Sequence, residues 1–155
     1  MRLTVISVGK NAEGFVRDAC EEYAGRIRRY ADLRLTVVPE ERVSSSGKRA
    51  YILRQEGRRI RDKIPPPAVC VALDERGRKY TSPELARQFV EWTAGRRELV
   101  FIIGGAYGLD EEVKQGADFL LSLSCMTLTH GMARMILLEQ IYRAFTLIHK
   151  EPYHK

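Results

Sequence analysis

Two stretches of this chain, residues 68–73 and 99–103, are apolar at every position and rich in β-branched side chains. A strand with one wet face alternates apolar and polar residues, so an unbroken apolar run belongs to a strand covered on both faces. Strands of that kind sit inside parallel sheets, whose crossover connections lay helices against the sheet. The segments around the two runs carry helical spacing, which meets that requirement. The expected architecture is an α/β fold: a mostly parallel sheet of five or six strands flanked by helices.

Periodicity and punctuation place the other elements. Residues 3–8 are a short apolar run ending at Gly9 and read as the first strand. Between Ala12 and Tyr30, Phe15, Ala19, Tyr23, Ile27 and Tyr30 recur at helical spacing. Residues 33–38 read as a second strand, and residues 39–47 as a polar, Ser-rich loop. Lys48 to Lys63 returns to helix on a narrow stripe of Leu53, Gly57, Ile60 and Ile64. Gly57 weakens that helix by about 1 kcal/mol relative to Ala. Pro65, Pro66 and Pro67 stop it, because proline lacks the amide donor and restricts the residue before it.

The next helix has two compatible starts, a capping box of Thr81 with Glu84 or a cap at Ser82 followed by Pro83. It should bury Leu85, Phe89 and Trp92 and end at Gly95, and a turn is expected around Gly77. After the strand at 99–103 come a glycine loop and a short helix from Asp110, with Glu111 and Glu112 at its positive end. A strand at 119–123 and a last helix from Gly131 to His149 complete the set. No repeat, linker or low-complexity segment interrupts residues 1–155, which are expected to form one domain.

The last helix is apolar around most of its circumference, through Met132, Met135, Ile136, Leu137, Leu138, Ile141, Tyr142, Phe145 and Ile148. Such a helix is buried on two sides. A second subunit could supply the second side, which favours a homodimer. Burial wholly within one chain is the alternative.

Charge is unevenly placed. The net +6 arises in residues 1–67, with 15 basic and 9 acidic residues, whereas residues 68–155 hold 11 of each. A basic face on an otherwise balanced protein suits RNA or DNA, with Arg54, Arg58, Arg59 and Arg61 meeting phosphate. A merely solvated helix face would look the same. The three cysteines, Cys20, Cys70 and Cys125, have no CxxC spacing and read as reduced thiols, with Cys20 and Cys70 buried. No apolar run approaches the roughly 18 residues that span a bilayer, and the chain is expected in the cytoplasm.

Two loops are candidates for chemistry, because open α/β sheets hold ligands beyond the carboxyl ends of their strands. The first, Gly104-Gly105-Ala106-Tyr107-Gly108, is not the GxGxxG dinucleotide fingerprint. Its glycines let backbone approach a ligand, and a side chain at Gly105 is expected to enter ligand space; a tight turn without ligand is the other reading. The second, residues 124–129, is rich in hydroxyls and ends at His130. It offers backbone donors and acceptors for a purine or zwitterion, or it could serve as a Ser/Thr helix cap.

Metal binding is not expected, since His130, His149 and His154 lack ligand spacing. Arg134, one turn beyond His130, is expected to point into the same space, and Glu139 and Arg143 have the spacing of a helix ion pair. Tyr153, His154 and Lys155 form a tail that is either frayed or suited to a base and its phosphate.

Taken together, Leu73-Asp74-Glu75-Arg76-Gly77, Ile103-Gly104-Gly105 with Gly108-Leu109, Ser122 through Thr127 to His130, Tyr142-Arg143-Ala144 and Pro152-Tyr153-His154-Lys155 resemble the RlmH family. Its members are SPOUT-class methyltransferases that act on N3 of a pseudouridine in bacterial large-subunit ribosomal RNA. The resemblance implies a C-terminal trefoil knot, a homodimer with the last helix at its interface, and S-adenosylmethionine held by three strand-end loops. Carried over by position, the cofactor contacts are Leu73, Gly105, Ser124, Cys125, Met126, Thr127, Leu128 and Thr129.

The imide N3 must lose a proton to become nucleophilic, which calls for a base near neutrality. His130 is the first candidate and His154 from the tail the second. Arg134 and Lys155 are expected to stabilise the imidate or hold phosphate, and Tyr153 to meet the base. The rival reading is a non-catalytic ribosome-binding or assembly factor that keeps the fold.

Overall fold

The computed structural model describes residues 1–9, 14–42, 49–95 and 98–153. Its elements are β1 (Arg2–Val8), α1 (Gly14–Ile27), β2 (Asp32–Val38), α2 (Arg49–Arg61), β3 (Ala68–Arg78), α3 (Ser82–Thr93), β4 (Glu98–Ile103), α4 (Glu111–Gln115), β5 (Phe119–Leu121) and α5 (His130–Ile148). Among the described residues five strands form one sheet in the order β2-β1-β4-β3-β5, and every pairing is parallel. All five strands therefore end on the same edge of the sheet, where the loops after β3, β4 and β5 gather.

The apolar runs occupy the centre for the reason their composition requires. Every residue of β4 is buried, and β1 is buried from Leu3 onward. On one face Leu3, Val5, Val69, Val71, Leu99 and Phe101 meet α1, α3 and α5. On the other, Ile6, Val8, Cys70, Ala72, Val100 and Ile102 meet Ile60 of α2 and Val113 of α4. Cys20 and Cys70 are buried and Cys125 is exposed. Each large apolar side chain fully withdrawn from water contributes about 1.5–3 kcal/mol.

Three differences from the sequence expectation have local causes. β3 does not stop at Leu73: Leu121 pairs first with Leu73 and then with Arg78, so residues 74–77 leave the ladder and return. Gly77 passes so close that a Cβ there would lie 2.6 Å from the Leu121 carbonyl carbon, and Ser122 N donates to Arg78 O at 2.9 Å. What reads as a turn is a clasp around the end of β5. The start of α3 is decided for Thr81, whose hydroxyl accepts from Glu84 N while Glu84 Oε2 accepts from Thr81 N at 2.7 Å.

The third difference concerns α5. It packs between α1 and α3 of the same chain, which cover part of its apolar circumference. Met132, Met135 and Ile136 remain half-buried.

Candidate functional site

The gathered strand ends enclose a cavity of about 830 Å³. Its walls are the part of β3 that leaves the ladder (Leu73 to Arg76), the glycine loop after β4, and the loop after β5 as far as Leu128. Arg49, Ala50, Leu53 and Arg54 from the first half of α2 form a further wall, and His130 and Ala133 of α5 close one side.

The glycine loop is a tight turn. Gly108 N donates to Gly105 O at 3.0 Å, and Gly108 takes a φ of 82°, a conformation that side-chain-bearing residues rarely adopt. A Cβ on Gly104 would overlap the Gly108 carbonyl. Gly105 differs from the expectation drawn from its sequence. A Cβ there would meet Val8 Cγ1 at 3.0 Å and Glu56 Oε2 at 3.2 Å, so it would strike the interior and not the ligand space.

Glu56 was legible only as one acid in a basic helix, yet it is the polar group beneath this turn. Its carboxylate is buried and accepts Glu41 N at 3.0 Å. Burial pushes its pKa up, against the lowering influence of the Glu41 amide and the Arg59 guanidinium. The available signal was its position, three residues beyond Leu53 on the apolar stripe.

The loop after β5 is braced from within: Ser122 Oγ donates to Ser124 O at 3.0 Å, and Met126 N donates to Ser124 Oγ at 2.9 Å. Thr129 is the N-cap of α5, accepting Met132 N at 3.3 Å. Across the cavity floor Lys114 Nζ lies 3.4 Å from Asp74 Oδ2 and 2.9 Å from Glu111 Oε2. His130 stands exposed at the first turn of α5, and a Cβ on Gly9 would be 3.6 Å from its Nε2. The imidazole thus sits between the end of β1 and the cavity.

Arg134 does not share that space. It is buried beside Cys20 of α1, outside the cavity lining, and among the described residues its Nε has no hydrogen-bond partner. Burial lowers the pKa of the guanidinium, and Cys20 partly offsets this. One helical turn separates the two residues, but α1 packs against α5 there and turns Arg134 inward.

The tail is docked. Lys150 at φ 56° ends α5, with Glu151 N donating to Thr146 O at 2.8 Å and Lys150 N to Leu147 O at 3.2 Å, a Schellman pattern. Tyr30 OH then donates to Glu151 Oε2 at 2.5 Å. The Tyr153 ring packs edge-on to Tyr142 at 4.8 Å beneath the Arg143 guanidinium at 4.6 Å, and its hydroxyl donates to Glu139 Oε1 at 3.1 Å. The Glu139–Arg143 ion pair expected from spacing is present, with Arg143 Nε donating to Glu139 Oε1 at 3.0 Å. The ring of Tyr153 is therefore engaged with its own chain. His154 and Lys155 lie outside the described residues.

The basic helix divides. Arg59 pairs with Glu41, and Arg61 pairs with Glu112 at 2.8 Å. Among the described residues Arg54 and Arg58 have no such partner.

Residues 1–154 match the family model described as "Predicted SPOUT methyltransferase". The chain belongs to the SPOUT methyltransferase family. Relatives of this SPOUT methyltransferase carry the name Ribosomal RNA large subunit methyltransferase H. One from Syntrophotalea carbinolica is 49% identical over 158 residues, with 99% of each chain covered. One from a Geobacter species (strain M21) is 50% identical over 157 residues, again with 99% of each covered. One from Chromobacterium violaceum is 43% identical over 155 residues, covering 100% of this chain and 99% of the relative.

Two solved structures share the fold. A probable methylase family protein from Haemophilus influenzae Rd KW20 has a TM-score of 0.57 at 13% identity, covering 99% of this chain and 70% of that one. The SpoU methyltransferase AviRb from Streptomyces viridochromogenes has a TM-score of 0.51 at 15% identity, covering 97% and 61%.

Of the cofactor contacts carried over by resemblance, this SPOUT methyltransferase brings Leu73, Gly105, Ser124, Met126, Thr127 and Leu128 to the one cavity. Cys125 and Thr129 fall outside its lining. Sequence reasoning missed Arg49, Tyr107 and the Asp74–Lys114 pair, because their joint placement depends on how α2 and α4 pack against the loops. Among the described residues no group of His, Cys, Asp and Glu could hold a metal ion, and no helix is long and apolar enough to cross a membrane.

Proposed function

We propose that this SPOUT methyltransferase uses S-adenosylmethionine to methylate N3 of a pseudouridine in large-subunit ribosomal RNA, acting in the cytoplasm as a homodimer with a C-terminal trefoil knot. The observation that carries the reading is one cavity at the ends of β3, β4 and β5, lined by six of the eight residues expected to hold the cofactor. The residues fit such a ligand. Leu73, Ile103, Leu121 and Leu128 offer apolar contact for a purine, and the glycine and 124–128 loops offer backbone donors and acceptors. The 124–128 loop is braced by Ser122 and Ser124, and the glycine loop by the Gly108 N to Gly105 O hydrogen bond, so the donors are pre-positioned. The names of the relatives support ribosomal RNA as substrate. The clasp of residues 73–78 around Leu121 is the local feature that accords with a knotted segment.

When bound, the cofactor supplies an electrophilic sulfonium methyl that passes in line to N3, and S-adenosylhomocysteine leaves. The chain's own part is to hold the base and take the N3 proton. His130, exposed at the cavity edge, is positioned for that proton, with His154 as the second candidate. His154 and Lys155 are the groups that meet phosphate or the deprotonated base, whereas Arg134 lies buried outside the cavity lining. Tyr153, seated on Tyr142 and Arg143, is the last described residue of the segment that meets the base in this reading.

Two measurements test the reading. Calorimetry with S-adenosylmethionine is expected to show saturable binding, one ligand per chain. Ribosomal RNA from cells lacking the protein is expected to lack one methyl group on a large-subunit pseudouridine, restored when the gene is returned. Absence of binding heat, or unchanged methylation in the deleted cells, would overturn it and leave the assembly-factor reading.

A further inference from the structure

At about 830 Å³ the cavity lies near the upper end of the ~300–1,000 Å³ typical of small-molecule sites, which leaves room beside a methyl donor for part of a second ligand. Its rim is unusual in one respect. Among the large apolar side chains of the lining, Tyr107 and Met126 are left 48% and 78% exposed, on two different loops.

Neither is demanded by the fold. The turn at residues 104–108 requires small residues at 104 and 108, where backbone closes on itself, whereas position 107 is its solvent-facing tip. Yet the tip is not free. The Arg49 guanidinium lies 5.7 Å from the Tyr107 ring centroid, and Arg49 Nη2 donates to Tyr107 O at 3.4 Å. An arginine at the start of the basic helix thus holds an exposed ring at the mouth of the cofactor cavity.

Unstacked RNA bases are bound on aromatic faces and guanidinium planes, and a pyrimidine taken out of its helix needs such a surface next to the reacting group. We infer that Tyr107, backed by Arg49, is the platform on which the target base lies during methyl transfer, with the Met126 thioether on the opposite side of the opening. This rests on the methyltransferase reading above and adds to it the residues that receive the base. The ring does the stacking and its hydroxyl is not used. Arg49 keeps the ring in place and presents positive charge to the neighbouring phosphate.

The test uses the purified full chain, ribosomes from cells lacking the protein, and labelled S-adenosylmethionine. Loss of one base–aromatic stack corresponds to roughly 5- to 150-fold in affinity. Tyr107→Ala is therefore expected to lower kcat/KM for ribosomes by about that factor, mainly through KM, while calorimetric affinity for S-adenosylmethionine stays unchanged. Tyr107→Phe keeps the ring and should retain most of the lost efficiency. Full kcat/KM in Tyr107→Ala would overturn the platform, as would a Phe variant as impaired as the Ala variant. A parallel loss of S-adenosylmethionine affinity would assign the ring to the cofactor and also overturn it. Failure of the unaltered protein to bind S-adenosylmethionine would instead overturn the underlying function.

Discussion

Glu56 is the buried acid beneath the glycine loop. It is buried between Val8, Gly105 and the Glu41 amide, and burial outweighs the Glu41 hydrogen bond and the Arg59 charge in raising its pKa above the ordinary 4.5. The folded chain therefore holds this proton more tightly than the unfolded chain does. Its stabilising contribution is complete below pH 4.5 and is lost as pH rises through the raised folded value. Glu56→Gln does not titrate, so the stability of the natural protein relative to this variant should fall as pH rises from 4.5 through that value. Urea unfolding at a series of pH values between about 4 and 8 measures this. A difference that is constant or grows with pH would mean that the Glu41 and Arg59 contacts outweigh burial.

Among the helices, α1 and α2 each contain a glycine that propensity alone would treat alike. A Cβ on Gly25 of α1 would meet nothing within 4 Å, whereas a Cβ on Gly57 of α2 would lie 2.8 Å from Asp110 Cβ at the start of α4. Gly→Ala in an open helix position gains about 0.5–1 kcal/mol, so Gly25→Ala should stabilise the protein by that amount. At Gly57 the same gain meets an overpacking cost of about 1–3 kcal/mol, so Gly57→Ala should destabilise by about 1–2 kcal/mol net. Thermal or denaturant unfolding of the two single variants distinguishes the cases; stabilisation by both would show that α2 can withdraw from α4. The close approach matters for the site, because the same packing brings Arg49 and Arg54 to the cavity.

Over the whole molecule, the parallel sheet puts the cavity and the first half of the basic helix on one edge. Arg54 lines the cavity and Arg58 is exposed one turn further along, whereas Arg59 and Arg61 are committed to Glu41 and Glu112. Replacing Arg54 and Arg58 together by glutamine should reduce the slope of log affinity for ribosomes against log salt by about 1–2, since each phosphate contact contributes roughly 0.7–0.9. The pair Arg59→Gln and Arg61→Gln should leave that slope nearly unchanged. Binding measured at several salt concentrations reads both. Equal slopes for all three proteins would return α2 to a solvated face.

Much of this was legible in the chain of letters because its causes are local. Unbroken apolar runs require strands covered on both faces, and the runs at 68–73 and 99–103 became β3 and β4 at the sheet centre. Thr81 and Glu84 carry their capping box within four consecutive residues. The glycine and 124–130 loops could be placed at strand ends because each directly follows an apolar run. What could not be read is set by partners distant in sequence. Arg134 turns inward because α1 lies there, Tyr153 is held by Tyr23, Glu139 and Tyr142, and Gly105 faces Val8 and Glu56. α1 and α3 of the same chain cover α5 along its length, a choice of neighbours that its apolar circumference does not specify. Periodicity encodes how much surface an element must bury; the identity of the surface that covers it emerges only when segments a hundred residues apart compete for the same face.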